Sequence, residues 1–226
     1  MKSHKKMFYR ILLPIIITII LTPITPWLDL NSAHFFFEQG SFSTAPAYTF
    51  FYHYGIIPAW IAVISSSLLY LLSFFTDKLT LWRPYLLVMI LTLVLGSGII
   101  VHALLKENWG RPRPRQIEEF GGMQKFRPYY IPNFSNQFES SKSFSCGHCS
   151  MGFYFFALAL VGTRLQKRWL SILGYCLAFG LGIALSLTRI AQGGHFFSDT
   201  LITALIMWLT ACVLDWVYFE RPSCKA

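Results

Sequence analysis

Long apolar runs alternate with short polar stretches along the whole chain. Six such runs fall at about 11–28, 55–75, 84–105, 150–163, 169–188 and 196–217. A helix that crosses a bilayer needs about 20 mostly apolar residues. Five runs have that length; the fourth is shorter and starts inside a polar motif. The pattern predicts an all-α fold, a six-span transmembrane helical bundle forming one domain over 1–226. Composition agrees: 54% of residues are hydrophobic and 13% are charged, where soluble domains carry about 25% charged residues. The first run follows a basic start (Lys2, Lys5, Lys6, Arg10) and contains Pro14, Pro23 and Pro26 with no small-residue cleavage site. It reads as an uncleaved anchor rather than a signal peptide.

Charge then orients the bundle. Six spans put both termini on one side, and basic residues favour the cytoplasmic side. With the termini inside, that side holds Lys2, Lys5, Lys6, Arg10, Lys78, Arg83, Arg164, Lys167, Arg168, Arg221 and Lys225. The first outer loop, about 29–54, has no Lys or Arg and is rich in aromatics, among them Phe35, Phe36, Phe37, Tyr48, Phe50, Phe51, Tyr52 and Tyr54. Those rings suit the membrane interface, or a lip that guides lipid. The second outer loop, about 106–149, breaks the rule with Lys106, Arg111, Arg113, Arg115, Lys125, Arg127 and Lys142. An anionic ligand outside the cytoplasm accounts for that breach. The net charge of +9 does not point to nucleic acid, because the basic residues sit between apolar runs and form no soluble basic face.

Three clusters fall at the same outer face. Lys106 to Pro114 ends the third run, Ser143 to Ser150 precedes the fourth, and Thr188-Arg189, His195 and Asp199 surround the start of the sixth. Phosphate-ester cleavage needs cations on the phosphoryl oxygens, a nucleophile and an acid for the leaving oxygen. Lys106, Arg113 and Arg189 supply the cations, and a helix start at Gly147 supplies backbone N–H groups. His148 and His195 divide the nucleophile and acid roles. Asp199, four residues after His195, shares its helix face. Taken singly, each residue is equally well a boundary or structural group. Ionisable residues at membrane spans are costly, and one site explains all of them together.

These residues resemble the type 2 phosphatidic acid phosphatase superfamily. Its signature is Lys, six residues, Arg-Pro; then Pro-Ser-Gly-His; then Ser-Arg, five residues, His, three residues, Asp. Here six residues separate Lys106 from Arg113-Pro114, Gly147-His148 match the second element, and Arg189, His195 and Asp199 keep the third spacing. The resemblance implies an extracytoplasmic catalytic loop region and a metal-independent phosphatase with no cofactor. It implies His195 as a nucleophile that forms a phosphohistidine, Asp199 as its partner and His148 as acid, then base. Lys106, Arg113, Arg189 and Gly147 would bind phosphate; Arg111 offers an alternative Arg-Pro but stands two residues too close to Lys106, and is kept as a candidate substrate contact.

Two positions depart from the signature. Cys146 stands where the family has its phosphate-binding serine, so either its weaker S–H donor substitutes or Ser145 or Ser150 helps. Thr188 replaces the other serine and keeps a hydroxyl. The five cysteines form no disulfide framework, although a single Cys146–Cys149 bond could form and modulate activity. Two rival readings use the same residues. Cys146-Gly147-His148-Cys149 is similar to the active tetrad of a thiol-disulfide oxidoreductase, and Cys146, His148 and Cys149 could crowd around zinc. Neither explains the Lys106–Arg113 or Arg189–Asp199 spacing.

The Arg111-to-Pro114 run, Phe120-Gly121-Gly122 and the long second loop look most like bacterial lipid A phosphatases. That resemblance implies a phosphorylated membrane lipid as partner, lipid A favoured, with no obligatory protein partner. It implies the bacterial inner membrane, with the site facing the periplasm. Phosphatidylglycerophosphate, phosphatidic acid, undecaprenyl pyrophosphate and phosphate transfer to another lipid are the alternatives.

Overall fold

The computed structural model describes residues 2–134 and 141–220, with side chains from Phe8 on. Lys2, Lys5, Lys6, Arg221 and Lys225, whose charges enter the orientation argument, have side chains outside that range, as does Cys224. Helix α1 (Lys2–Leu21) runs through a 3-10 turn at Thr22–Ile24 into α2 (Thr25–Phe35). Pro23 and Pro26 occupy first-turn positions, where a missing N–H costs nothing. A short hairpin follows, β1 (Phe37–Glu38) paired antiparallel with β2 (Ser41–Phe42). Helices α3 (Pro46–Tyr54) and α4 (Ile57–Leu72) come next. After a 3-10 turn at Asp77–Trp82, α5 (Arg83–Leu91) continues as a π-helical segment, Thr92–Lys106. A long loop leads to α6 (Gly147–Phe153), α7 (Phe156–Arg164), α8 (Arg168–Ala191) and α9 (Phe197–Phe219).

Five stretches are long and apolar enough to cross a membrane: Phe8–Phe35, Pro46–Leu72, Asp77–Lys106, Arg168–Ala191 and Phe197–Phe219. They match five of the six expected runs. The fourth run is different in kind. Residues 147–164 form two short helices broken at Tyr154 and Phe155, and nearly every residue there is buried. This segment is the centre of the bundle, sheathed by α5, α8 and α9, so it needs no full-length lipid-facing surface. Small residues let α8 approach it closely: a Cβ on Gly174 would lie 2.3 Å from the Ala159 nitrogen, the close packing common between membrane helices. The apolar side chains left exposed, such as Ile19, Ile64 and Trp169, lie on the outer helices.

The expected first outer loop, 29–54, is largely helical. The second crossing segment begins at Pro46, so Tyr48, Phe50, Phe51, Tyr52 and Tyr54 lie on α3 rather than on a loop. At the opposite end of α7, Arg164 makes a two-point pair with Asp215 (2.8 and 2.7 Å) and also meets Glu220. That pair ties α7 to the end of α9.

Candidate active site

The antiparallel run of the helices gathers the three motifs at one end of the bundle. Lys106 closes the π-helical segment, His148 lies in the first turn of α6, and Arg189 in the last turn of α8. His195 lies in the turn that follows, and Asp199 opens α9. The groups are close enough to act on one another electrostatically. His148 feels the charges of Arg189, His195 and Lys106; Lys106 feels Arg113 and Arg189; His195 feels Arg189 and Arg113.

The His195 turn is set by its backbone. Gly193 takes a positive φ of 60°, which glycine adopts without a side-chain clash. The N–H groups of Gly194 and His195 then both donate to the Arg189 carbonyl, at 2.9 and 3.2 Å. This turn swings His195 back toward the start of α9. Asp199 Oδ2 accepts from the Phe196 N–H at 2.9 Å and from Ser143 Oγ at 2.6 Å, as a carboxylate at the third position of a helix often does. His195 Nδ1 lies 3.6 Å from Asp199 Oδ2. That is within ion-pair range and beyond a hydrogen bond, a length that commonly tightens when substrate binds. With Nδ1 turned to Asp199, Nε2 is the nitrogen left for chemistry. Burial lowers the His195 pKa to about 4; Asp199 opposes the shift, and Arg189 and Arg113 add to it. The ring is therefore neutral and nucleophilic at neutral pH.

Arg189 donates from Nη1 to Gln192 Oε1 at 2.8 Å, and its guanidinium lies 4.9 Å from the centre of the Tyr52 ring. Arg189 Nε, Arg113 Nε and Thr188 Oγ1 are buried with no hydrogen-bond partner among the described residues. Buried donors are nearly always satisfied, so unsatisfied nitrogens on Arg189 and Arg113, which act on each other electrostatically, suit an anion. Burial, and after it Arg115, also lowers the Arg113 pKa. His148 stacks on Tyr52 with centroids 4.5 Å apart, and burial, then Arg189, lowers its pKa to about 4. Gly147 is buried against His102: a Cβ there would lie 2.3 Å from His102 Nε2.

Two expected contacts are placed differently. Arg111, expected to touch substrate, is completely buried behind the His195 turn, paired with Asp29 and Asp199. Cys146 offers no S–H donor, because its sulfur is bonded to Cys149 and both residues are fully buried. The same bond removes both sulfurs from any zinc site. The serines weighed as substitutes turn inward: Ser150 Oγ donates to the Gly147 carbonyl at 2.7 Å, and Ser145 Oγ points to the Val101 carbonyl at 3.4 Å. Strand among the described residues is confined to the β1–β2 hairpin, so nothing there resembles a thioredoxin sheet.

Sequence reasoning missed Asp29 and Ser198, gave Ser143 no role beyond opening the second cluster, and read Tyr52 as one ring of an interfacial belt or lip. Asp29 carried a usable signal, being an acid near the end of an apolar run. Ser143 and Ser198 carried none, since serine is ordinary in a loop or a first helical turn.

Comparisons with known proteins place the chain in a family. A lipid A 4'-phosphatase from Francisella tularensis subsp. novicida (strain U112) is 31% identical over 208 residues, covering 88% of this chain and 90% of that protein. Lipid A 4'-phosphatases from Rhizobium leguminosarum (31% over 126 residues) and Rhizobium etli (29% over 123 residues) each match 54% of this chain. Those two matches cover 48% and 44% of the respective proteins. No solved structure matches the chain. Residues 85–223, which hold all three motifs, match the PAP2 superfamily domain, and the chain belongs to that superfamily.

Proposed function

We propose that this membrane lipid phosphatase, a phosphoric monoester hydrolase, acts on lipid A and passes the phosphoryl group through His195. One observation carries the mechanism: His195 presents Nδ1 to Asp199 at 3.6 Å and lies within the field of Arg189 and Arg113. His195 Nε2 attacks phosphorus, the N–P bond forms and the P–O bond to the lipid breaks. Phosphate bound among the cations adds the negative charge that lets His148 take up a proton, and His148 gives that proton to the leaving oxygen. His148 then takes a proton from water, which attacks phosphorus, breaks the N–P bond and releases inorganic phosphate. Lys106, Arg113 and Arg189 hold the phosphoryl oxygens with the Gly147 N–H, where developing charge is best stabilised by fixed donors. Cys146 serves this reading only as a covalent closure of the loop that carries His148.

The relatives' names support lipid A, and specifically its 4'-phosphate. A cavity of about 640 Å³ beside the site, lined by Glu38, Gln39, Ser41, Thr44 and Phe rings including Phe36 and Phe42, offers polar groups and aromatic faces to a sugar. Its hairpin is held close to the His195 turn, since the Ser43 N–H donates to the Ala191 carbonyl at 3.0 Å. The proposed topology is one domain of six crossings in a bacterial inner membrane, with residues 150–163 as the fourth, both termini cytoplasmic and the site periplasmic. The distribution of basic residues supports it.

Mass spectrometry of lipid A from cells carrying the active chain or its His195→Ala variant tests the substrate. Loss of the 4'-phosphate with the active chain alone is expected. An unchanged lipid A profile, with phosphate lost instead from phosphatidic acid, phosphatidylglycerophosphate or undecaprenyl pyrophosphate, would replace lipid A as the substrate.

A further inference from the structure

We propose that Asp29 is a positioning residue for the nucleophile, holding Arg111 so that Asp199 keeps its negative charge for His195. The inference rests on His195 being the nucleophile. It adds a residue from α2, outside the 85–223 segment that matches the PAP2 domain.

The contacts form a closed set. Asp29 Oδ2 accepts from Arg111 Nη2 at 2.7 Å and from Ser198 Oγ at 2.7 Å, and Asp29 Oδ1 accepts from the Ser198 N–H at 2.7 Å. Arg111 Nη1 donates to Asp199 Oδ1 and, at 2.9 Å, to Ser198 Oγ. Arg111 Nε donates to the Arg127 carbonyl at 2.8 Å, and the guanidinium lies 4.4 Å from the centre of the Phe196 ring. The side chains of Asp29, Arg111 and Asp199 are all fully buried.

Charge count decides the consequence. Away from water, charges interact strongly and an uncompensated one is costly. Two carboxylates and one guanidinium sum to one negative charge, which suits a neighbouring cation. His195 becomes that cation when Nε2 bonds to phosphorus while Nδ1 keeps its proton toward Asp199. Without the Asp29 charge, Arg111 alone would neutralise Asp199, and the stabilisation of the phosphohistidine would be lost. Asp29 also satisfies a backbone N–H in the first turn of α9, which fixes where Asp199 stands.

The test uses the full chain in lipid vesicles, with phosphate release measured from whichever of lipid A and phosphatidic acid the wild-type protein hydrolyses. Asp29→Asn should lower kcat about 10–100-fold with KM little changed. It should also move the acid limb of the kcat/KM profile to lower pH. The charged and titratable groups facing His195 are Asp199, Arg189, Arg113 and His148, and all of these are left in place. Asp29→Glu should retain most of the rate. The deciding variant is Asp29→Asn with Arg111→Gln, which restores one net negative charge and should recover much of the lost rate. No recovery in the double variant overturns the proposal, whether or not the single variant folds. A wild-type chain that releases no phosphate, or a His195→Ala variant as active as wild type, counts instead against the proposed function.

Discussion

The Tyr52 ring lies nearly flat on His148, with centroids 4.5 Å and planes 14° apart, and the same ring lies 4.9 Å from the Arg189 guanidinium. One aromatic side chain from α3 thus touches the proposed acid and a proposed phosphate ligand. Contacts of this kind contribute about 0.5–1.5 kcal/mol, which corresponds to a rate change of roughly 2–10-fold. Tyr52→Phe keeps the ring and should stay near wild type in phosphate release. Tyr52→Leu should lose about that factor. Equal losses in both variants would place the effect in the hydroxyl rather than in the stack.

The cations should separate by place rather than by charge. Lys106→Gln, Arg113→Gln and Arg189→Gln each remove a proposed phosphate contact and should cost about 10²–10³-fold in kcat/KM. Lys142 lies in the same loop but pairs with Glu107 at the exposed edge, where such pairs contribute about 0–1 kcal/mol. Lys142→Gln should change the rate by a small factor only. Steady-state assays of the four variants check this; a Lys142 effect as large as that of Lys106 would speak for diffuse attraction instead of a built site.

Removing the Cys146–Cys149 bond should affect stability more than chemistry. A bond closing so short a loop restrains the unfolded chain by about 2 kcal/mol on the chain-entropy estimate. Cys149→Ser should unfold at lower temperature yet retain most phosphate release, whereas His195→Ala should retain none. The reverse pattern of activities would favour the thiol-oxidoreductase reading.

Much of the candidate site could be read along the chain because its three motifs depend on spacing. Asp199 falls one helical turn after His195, and the apolar runs flanking the motifs set which ends meet. Arg111 and Arg113 could not be told apart in that way beyond their distance from Lys106. Which one faces the site depends on how the loop folds over α9, and Asp29, 82 residues earlier than Arg111, draws Arg111 inside. The fourth run was short for a physical reason that only packing reveals: its helices are enclosed by protein. The Tyr52 contact was hidden because α3 begins well before the apolar run that marks α4.

Acidity should act on both histidines. Each is lowered to about 4 by burial, against about 6.5 in an unfolded chain. Between those values the unfolded chain binds more protons, so stability rises with pH from about 4 to 6.5 and is lost as pH falls through that window. Thermal unfolding of wild type and of His195→Gln should show the difference; equal pH dependence in both would remove His195 as its source. Inorganic phosphate should raise the His148 pKa by adding negative charge among Lys106, Arg113 and Arg189. Histidine resonances followed by NMR with and without phosphate check this, and an unmoved His148 would count against its role as acid.

The most direct measurement is to trap the intermediate. A His148→Ala variant can still attack phosphorus through His195, more slowly without the acid, and lacks the base that activates water to hydrolyse the N–P bond. It is mixed with phosphorylated lipid, quenched in alkali, digested and sequenced by mass spectrometry. The account predicts phosphate on His195 and none when His195→Ala is added. Phosphate release by the wild-type chain with no phosphate ever found on His195, and with His195→Ala still active, would contradict it.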